Sequence, residues 1–235
     1  MASRQQEKER RRQERIEREE AEKRAAGRRK RLQLVGGGVL AAAAVAAVIV
    51  AVVVGTGGSD SSAEQTASAP NASAKVPAQT TSDYLKAAKA AGCTLSNPAY
   101  EGAGHIDKTF TAKDYKTNPP TSGPHTPTWY QDGVYDPGNA PNLGMQVHTL
   151  EHGRIDVQYK PGTPRKTIAQ LEALLAQESD GYHMLLYQNV TNMKAQVAAT
   201  AWTHSLTGPQ MNDTVFDAIR TFRARYIDKG PEKIP

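Results

Sequence analysis

"VHTLEHGRIDVQY", residues 147–159, carries two different patterns on either side of one glycine. In the first half, HTLEH sets His148 and His152 four apart with Glu151 beside the second, the H-x-x-E-H spacing of one group of zinc peptidases. In the second half, RIDVQY alternates. Ile155, Val157 and Tyr159 point one way and Arg154, Asp156 and Gln158 the other, the pattern of a strand with one wet face. Gly153 divides the two and stops any helix before it. Because "APNLGMQ" (140–146) shows no helical face, at most about one turn of helix is expected to carry the histidines.

On such a turn, residues at i and i+4 share a side, so His148 and His152 can grip one ion. A zinc peptidase of this type carries the motif inside a long helix and takes a third, carboxylate ligand from well downstream. Glu172, Glu178 and Glu232 are the only downstream glutamates, and no motif places any of them. The reading therefore keeps the metal and ranks hydrolysis by HTLEH third.

The ligand inventory supports a metal more broadly. All six histidines lie between residues 105 and 204, joined by Met145, Met184, Met193 and Met211. His125 follows two stiff units, Pro119-Pro120 and Gly123-Pro124, so ordering it costs little further entropy. The expected ligand set is His125, His148 and His152, with Met145 as a softer fourth. Thioether and imidazole together suit copper, with zinc second. His105 and His204 read as solvated or satisfied singly, and His183 as a packed core histidine. The competing reading is structural: Glu151 pairs with a histidine, "SGPH" (122–125) locks a long loop, and the domain is a metal-free interaction module.

Working outward, "SDYLKAAKAAG" (82–92) predicts a short helix with Ser82 as N-cap and Gly92 as stop. Residues 96–146 are rich in Pro, Gly, Asn and Thr and read mostly as loop, with Trp129, Tyr130 and Tyr135 pinning it. "TIAQLEALLAQES" predicts a helix with Thr167 and Gln170 as a capping box and Ile168, Leu171, Leu174 and Leu175 inward. "YHMLLYQN" and "AQVAATAWTHSL" each predict one strand, the latter with Trp202 buried. "DTVFDAIRTFRARYIDKGPE" predicts a helix burying Phe216, Ile219, Phe222 and Tyr226, closed by Gly230-Pro231. This order gives an α+β domain, a small sheet packed by helices, over residues 82–235.

The first third differs in kind. Residues 1–31 carry 13 Lys/Arg against 7 Asp/Glu, and the other 204 carry 16 against 17. The basic balance thus belongs to a tail, which excludes a basic nucleic-acid-binding domain. Leu34–Val54 is 21 residues without a charge, about 31 Å as a helix, the thickness of a bilayer core. Residues 32–55 are expected to be a single membrane-spanning helix, with "RRKR" (28–31) holding the N-terminus in the cytoplasm. Residues 56–81 read as a flexible linker. The domain is then extracytoplasmic at the cell membrane, its partners the bilayer and an envelope protein. The single Cys93 forms no internal disulfide and reads as buried.

"NPPTSGPH" (118–125), "GVY" (133–135), "VHTLEHGRIDVQY" (147–159), "VAATAWTHSL" (197–206) and "GPE" (230–232) occur in an order that resembles a bacterial family, the domain of unknown function number 3105. The resemblance spans about residues 90–232. It implies a short cytoplasmic tail, one anchor helix and an extracytoplasmic domain, and it implies no reaction. Where members commonly read Ala-Trp-Gly, this chain reads Ala201-Trp202-Thr203. No phosphate-cradling glycine motif and no G-x-S-x-G is present, so the residues favour a carrier, buffer or sensor of metal over an enzyme.

Overall fold

A computed structural model describes residues 67–233. The expected basic tail, the membrane span and the first part of the linker lie outside them. Among the described residues, no helix is long and apolar enough to cross a membrane.

The domain is α+β, as expected. Its elements are α1 (Tyr84–Ala90), β1 (Thr94–Ser96), β2 (Gly133–Val134), α2 (Leu143–Glu151), β3 (Ile155–Tyr159), α3 (Arg165–Gln177), β4 (Met184–Gln188), β5 (Val197–Ala201), β6 (His204–Gly208) and α4 (Asp213–Tyr226). The six strands form one mixed sheet in the order β1-β6-β5-β3-β4-β2. β3, β4 and β2 run parallel, with α3 as the crossover from β3 to β4. β5, β6 and β1 are antiparallel additions.

One face of the sheet is an aliphatic core. Ile155, Val157, Met184, Leu186, Val197, Ala199 and Leu206 pack against Leu171, Leu174 and Leu175 of α3 and Val215, Phe216, Ile219 and Phe222 of α4. α3 turns its other side to solvent, whereas Val215–Phe222 of α4 are all buried; in both, the large apolar residues recur at helical period, which makes the helices readable in sequence. The start of α3 differs from expectation. Pro164 stands at the N-cap, the helix begins at Arg165, and no capping box forms. Gln170 instead donates to the Lys75 carbonyl at 3.0 Å. Likewise α1 is capped by Asp83, which accepts from Lys86 N at 2.9 Å, and not by Ser82.

The other face corrects the larger expectation. Arg154, Asp156 and Gln158 of the central region are buried, not wet. α2 and the long loop before it cover them, and most of their polar groups are satisfied internally, with Arg154 Nη1 and Asp156 Oδ1 left without a partner. Gln158 accepts from Asn189 at 2.7 Å, and Arg154 pairs with Asp132 at 2.7 Å.

The motif helix is longer than the sequence suggested. α2 has nine residues, eight of them buried, so no polar stripe announces it. It ends in a Schellman arrangement. Gly153 N donates to the Leu150 carbonyl and Arg154 N to the Thr149 carbonyl, with Gly153 at φ +80°. The stretch 195–206 is not one strand but a hairpin, β5–β6, turning at Trp202-Thr203 with Thr203 at φ +60°. Trp202 is only half-buried, against Phe110, Tyr115, Leu143 and Val147.

Of the stretch read as linker, residues 67–81 are tied to the domain. Ser68 pairs with Val134 across both backbone bonds, Val76 is buried, and the Thr80 amide and hydroxyl both donate to Asp217. Cys93 packs against the aliphatic core, and burial pushes its thiol up to about 11.

Candidate metal centre

α2 presents the HTLEH side chains, and three other segments come to it. The long loop approaches first. A Cβ on Gly144 would strike the Phe110 ring and Thr126, so only glycine lets the loop lie this close. One turn later the Thr126 carbonyl accepts the His148 Nδ1 proton at 2.7 Å. The same loop doubles back on itself: Ile106 N donates to the His125 carbonyl and His125 N to the Gly104 carbonyl, setting the rings of His105 and His125 4.7 Å apart. His125 Nδ1 is held by the Gly123 carbonyl at 2.8 Å.

The C-terminal strap arrives from the other side. Asp228 N donates to the Gly153 carbonyl and Glu232 N to the Glu151 carbonyl. A Cβ on Gly230 would fall on the Glu151 carbonyl oxygen, so the strap seats only with glycine there. His183, at the start of β4, fixes the strap by bonding Asp228 through Nδ1 at 2.6 Å. The "GPE" block is thereby explained: Gly230 allows the approach, and Glu232 is delivered to the end of α2.

Two groups of ligand atoms result, each lying within 4.8 Å of one another: His105, His125, His148 and Glu151, and His148, His152 and Glu232. In the first, Glu151 Oε2 lies 2.9 Å from His125 Nε2 and 3.4 Å from His105 Nε2. In the second, His148 Nε2 and His152 Nε2 are 2.9 Å apart, and Glu232 Oε2 is 3.3 Å from His152 Nε2. His125 Nε2 and Glu151 Oε2 are fully buried, yet neither has a hydrogen-bond partner despite their close approach.

Burial pushes the imidazoles of His125, His148 and His152 down, with neighbouring histidines adding to the effect, and His152 reaches about 4. Burial thus favours the neutral form of these rings, the form that binds a metal. Burial also raises the Glu151 carboxyl, reinforced by Glu232. With Nδ1 of His125 and His148 donating to carbonyls, each Nε2 faces the site as an acceptor, and that of His148 accepts from His152 Nε2. That is the arrangement found for imidazole ligands oriented by an outer hydrogen bond.

The structure thus gathers His125, His148 and His152 into one cluster. Met145, one turn before His148, lines an adjoining cleft with Asp107, Phe110, Thr126 and Asn142. His105, read as solvated or satisfied singly, is exposed and also joins the cluster, because the loop pairing at His125 brings it there. Glu151 and Glu232 also join. The only sequence signal for Glu232 was its place in a recurring block 80 residues away. His204 stays apart, bonding Asn97 and stacking on Tyr226.

A mixed-sheet α+β domain with a buried His/Glu cluster is the class that fold and site define. The chain belongs to the family described as protein of unknown function DUF3105, whose model matches residues 105–234, more than half of its length. All six converging residues fall within that match. Among curated proteins and among solved structures, nothing matches the chain.

Proposed function

We propose that this domain holds one first-row transition-metal ion through His105, His125, His148 and Glu151, as a carrier or buffer tethered outside the membrane by Leu34–Val54. The observation that carries the reading is the pair His125 Nε2 and Glu151 Oε2, buried 2.9 Å apart with no hydrogen bond to either. Two unsatisfied buried acceptors at that range repel and cost several kcal/mol at roughly the scale of other orphaned polar groups. A cation relieves both at once. Three imidazoles and one carboxylate suit Cu(II) or Zn(II) better than Cu(I), which prefers sulfur.

The test is titration of the full chain in mild detergent, purified without a histidine tag, with Cu(II), Cu(I) and Zn(II). Binding tighter than ~10 µM by Cu(II) or Zn(II), with His204→Ala unchanged and Glu151→Gln weakened ~10–100-fold, supports the reading. No ion bound more tightly than about 10 µM removes it, since that is only ~7 kcal/mol, and leaves the metal-free envelope module.

A zinc-dependent hydrolase is a second reading, favoured by two observations. α2 is a true helix around HTLEH, and Glu232 supplies a downstream carboxylate beside His152. Against it, Glu151, the group that would take a proton from water, is itself one of the proposed ligands, 3.4 Å from His105 and 2.9 Å from His125. Tight Zn(II) binding without cleavage of peptide or ester substrates discards it.

A further inference from the structure

The two ligand groups share His148, and that residue has one nitrogen to give. Its Nδ1 is committed to the Thr126 carbonyl at 2.7 Å, so only Nε2 faces the cluster. An ion on His105, His125 and Glu151 and an ion on His152 and Glu232 cannot both hold it. Each group reaches the rim through one ligand. His105 is 40% exposed and Glu232, on the strap, is 42% exposed, whereas the His125 side chain is fully buried and Glu151 is 4% exposed. His152 lies between, its ring buried, its Nε2 near both His148 and Glu232.

We propose that His152 and Glu232 form an outer position for the same ion, and that the ion is loaded and released by ligand exchange about His148 Nε2. This rests on the reading above. Of the two rim ligands Glu232 is the carboxylate and His105 an imidazole, so on entry a cation is drawn to Glu232 first, then to His152 and His148. It next leaves Glu232 and His152 and takes His105, His125 and Glu151, keeping His148 throughout. No electrons move. Each ligand lost on one side is replaced by one gained on the other, so the ion never crosses the buried site bare, which would carry the full cost of an uncompensated charge.

The strap gives the outer position its shape. Gly230 seats it on the end of α2, and the Glu232 amide is fixed to the Glu151 carbonyl at 3.1 Å, so both carboxylates belong to one rigid corner. Trp129 closes the rim, its ring 4.7 Å from His152 and 5.5 Å from His148. Trp202 stands on the inner side, 6.0 Å from His125. These are the chain's two tryptophans, so indole quenching by Cu(II) reports arrival at the cluster.

The experiment is stopped-flow quenching of the full chain in detergent by Cu(II), with release measured by chelator competition, on wild type, Glu232→Gln and Glu151→Gln. Expected are one ion per chain and, for Glu232→Gln, loading and release both slowed about tenfold with the dissociation constant within about threefold of wild type. Glu151→Gln should show the opposite pattern, a weakened constant and fast loading. Two ions per chain would overturn the shared position. So would Glu232→Gln rates equal to wild type, or a Glu232→Gln constant weakened as much as that of Glu151→Gln, which would make Glu232 a ligand of one composite site. In all three cases wild type still binds copper and the proposed function stands; absence of any binding by wild type removes both.

Discussion

The Tyr187 hydroxyl lies 2.7 Å from the carboxyl of Asp156 and 3.0 Å from the Gln146 amide oxygen, linking the middle of the sheet to the helix that carries HTLEH. One hydroxyl proton cannot serve both acceptors. A protonated Asp156 resolves this: its O–H donates to Tyr187, and Tyr187 donates to Gln146. Burial, the largest effect, raises Asp156 to about 8, with the Tyr187 contact and Arg154 opposing and Asp132 adding. Gln146 in turn donates to the Pro141 carbonyl at 2.6 Å, so this neutral chain positions the start of α2.

The sign of the pH dependence follows. Asp156 titrates near 3.9 when unfolded, so its folded value is raised. Its contribution is fully present below about pH 4 and is lost as pH rises through about 8, at up to ~1.4 kcal/mol per unit. Asp156→Asn keeps a donor toward Tyr187 and cannot ionise. Urea denaturation at pH 5 and pH 8 should show wild type losing stability relative to this variant. A constant difference between them would mean Asp156 is ionised in the fold.

Ion binding must also stabilise the fold if the proposed site is right. An ion at 100 times its dissociation constant adds about 2.7 kcal/mol. Saturating Cu(II) should raise the Tm of the wild-type chain, a chelator should reverse the rise, and Glu151→Gln should need far more copper for the same shift. Equal shifts in both proteins would place the ion elsewhere.

Thr203 occupies a left-handed conformation, φ +60°, at the β5–β6 turn. A β-branched residue there carries strain of ~1–3 kcal/mol, whereas glycine costs ~0.5–1 kcal/mol of unfolded-state entropy. Thr203→Gly should therefore stabilise the domain by about 0.5–1 kcal/mol. Destabilisation in a melting experiment would show that the Thr203 hydroxyl bond to the Trp202 carbonyl outweighs the strain.

Leu171 is fully buried between α3 and the sheet. Truncation to alanine should cost about 2–5 kcal/mol by chemical denaturation. A loss below 1 kcal/mol would require the aliphatic face to collapse around the gap.

The membrane orientation is tested separately. Protease added to intact spheroplasts should remove the C-terminal domain and leave a fragment ending near the apolar run; protection of the domain would reverse the assignment of "RRKR" to the cytoplasm.

The sequence alone determined α3 and α4, the alternation of β3, the stop at Gly153 and the four-residue spacing of His148 and His152. Each is a local property, visible because apolar residues recur at the period of a helix or a strand or because a turn demands a particular residue. It could not reveal α2, eight of whose nine residues are buried, nor that Asp156 and Gln158 are covered, because a polar residue facing a buried network looks in sequence like one facing water. The metal centre divides in the same way. His148, Glu151 and His152 are neighbours by helical period, but His105, His125 and Glu232 reach them only because Gly144 and Gly230 let a loop and a strap close onto α2. Such contacts depend on the space between distant segments, which only the tertiary structure decides.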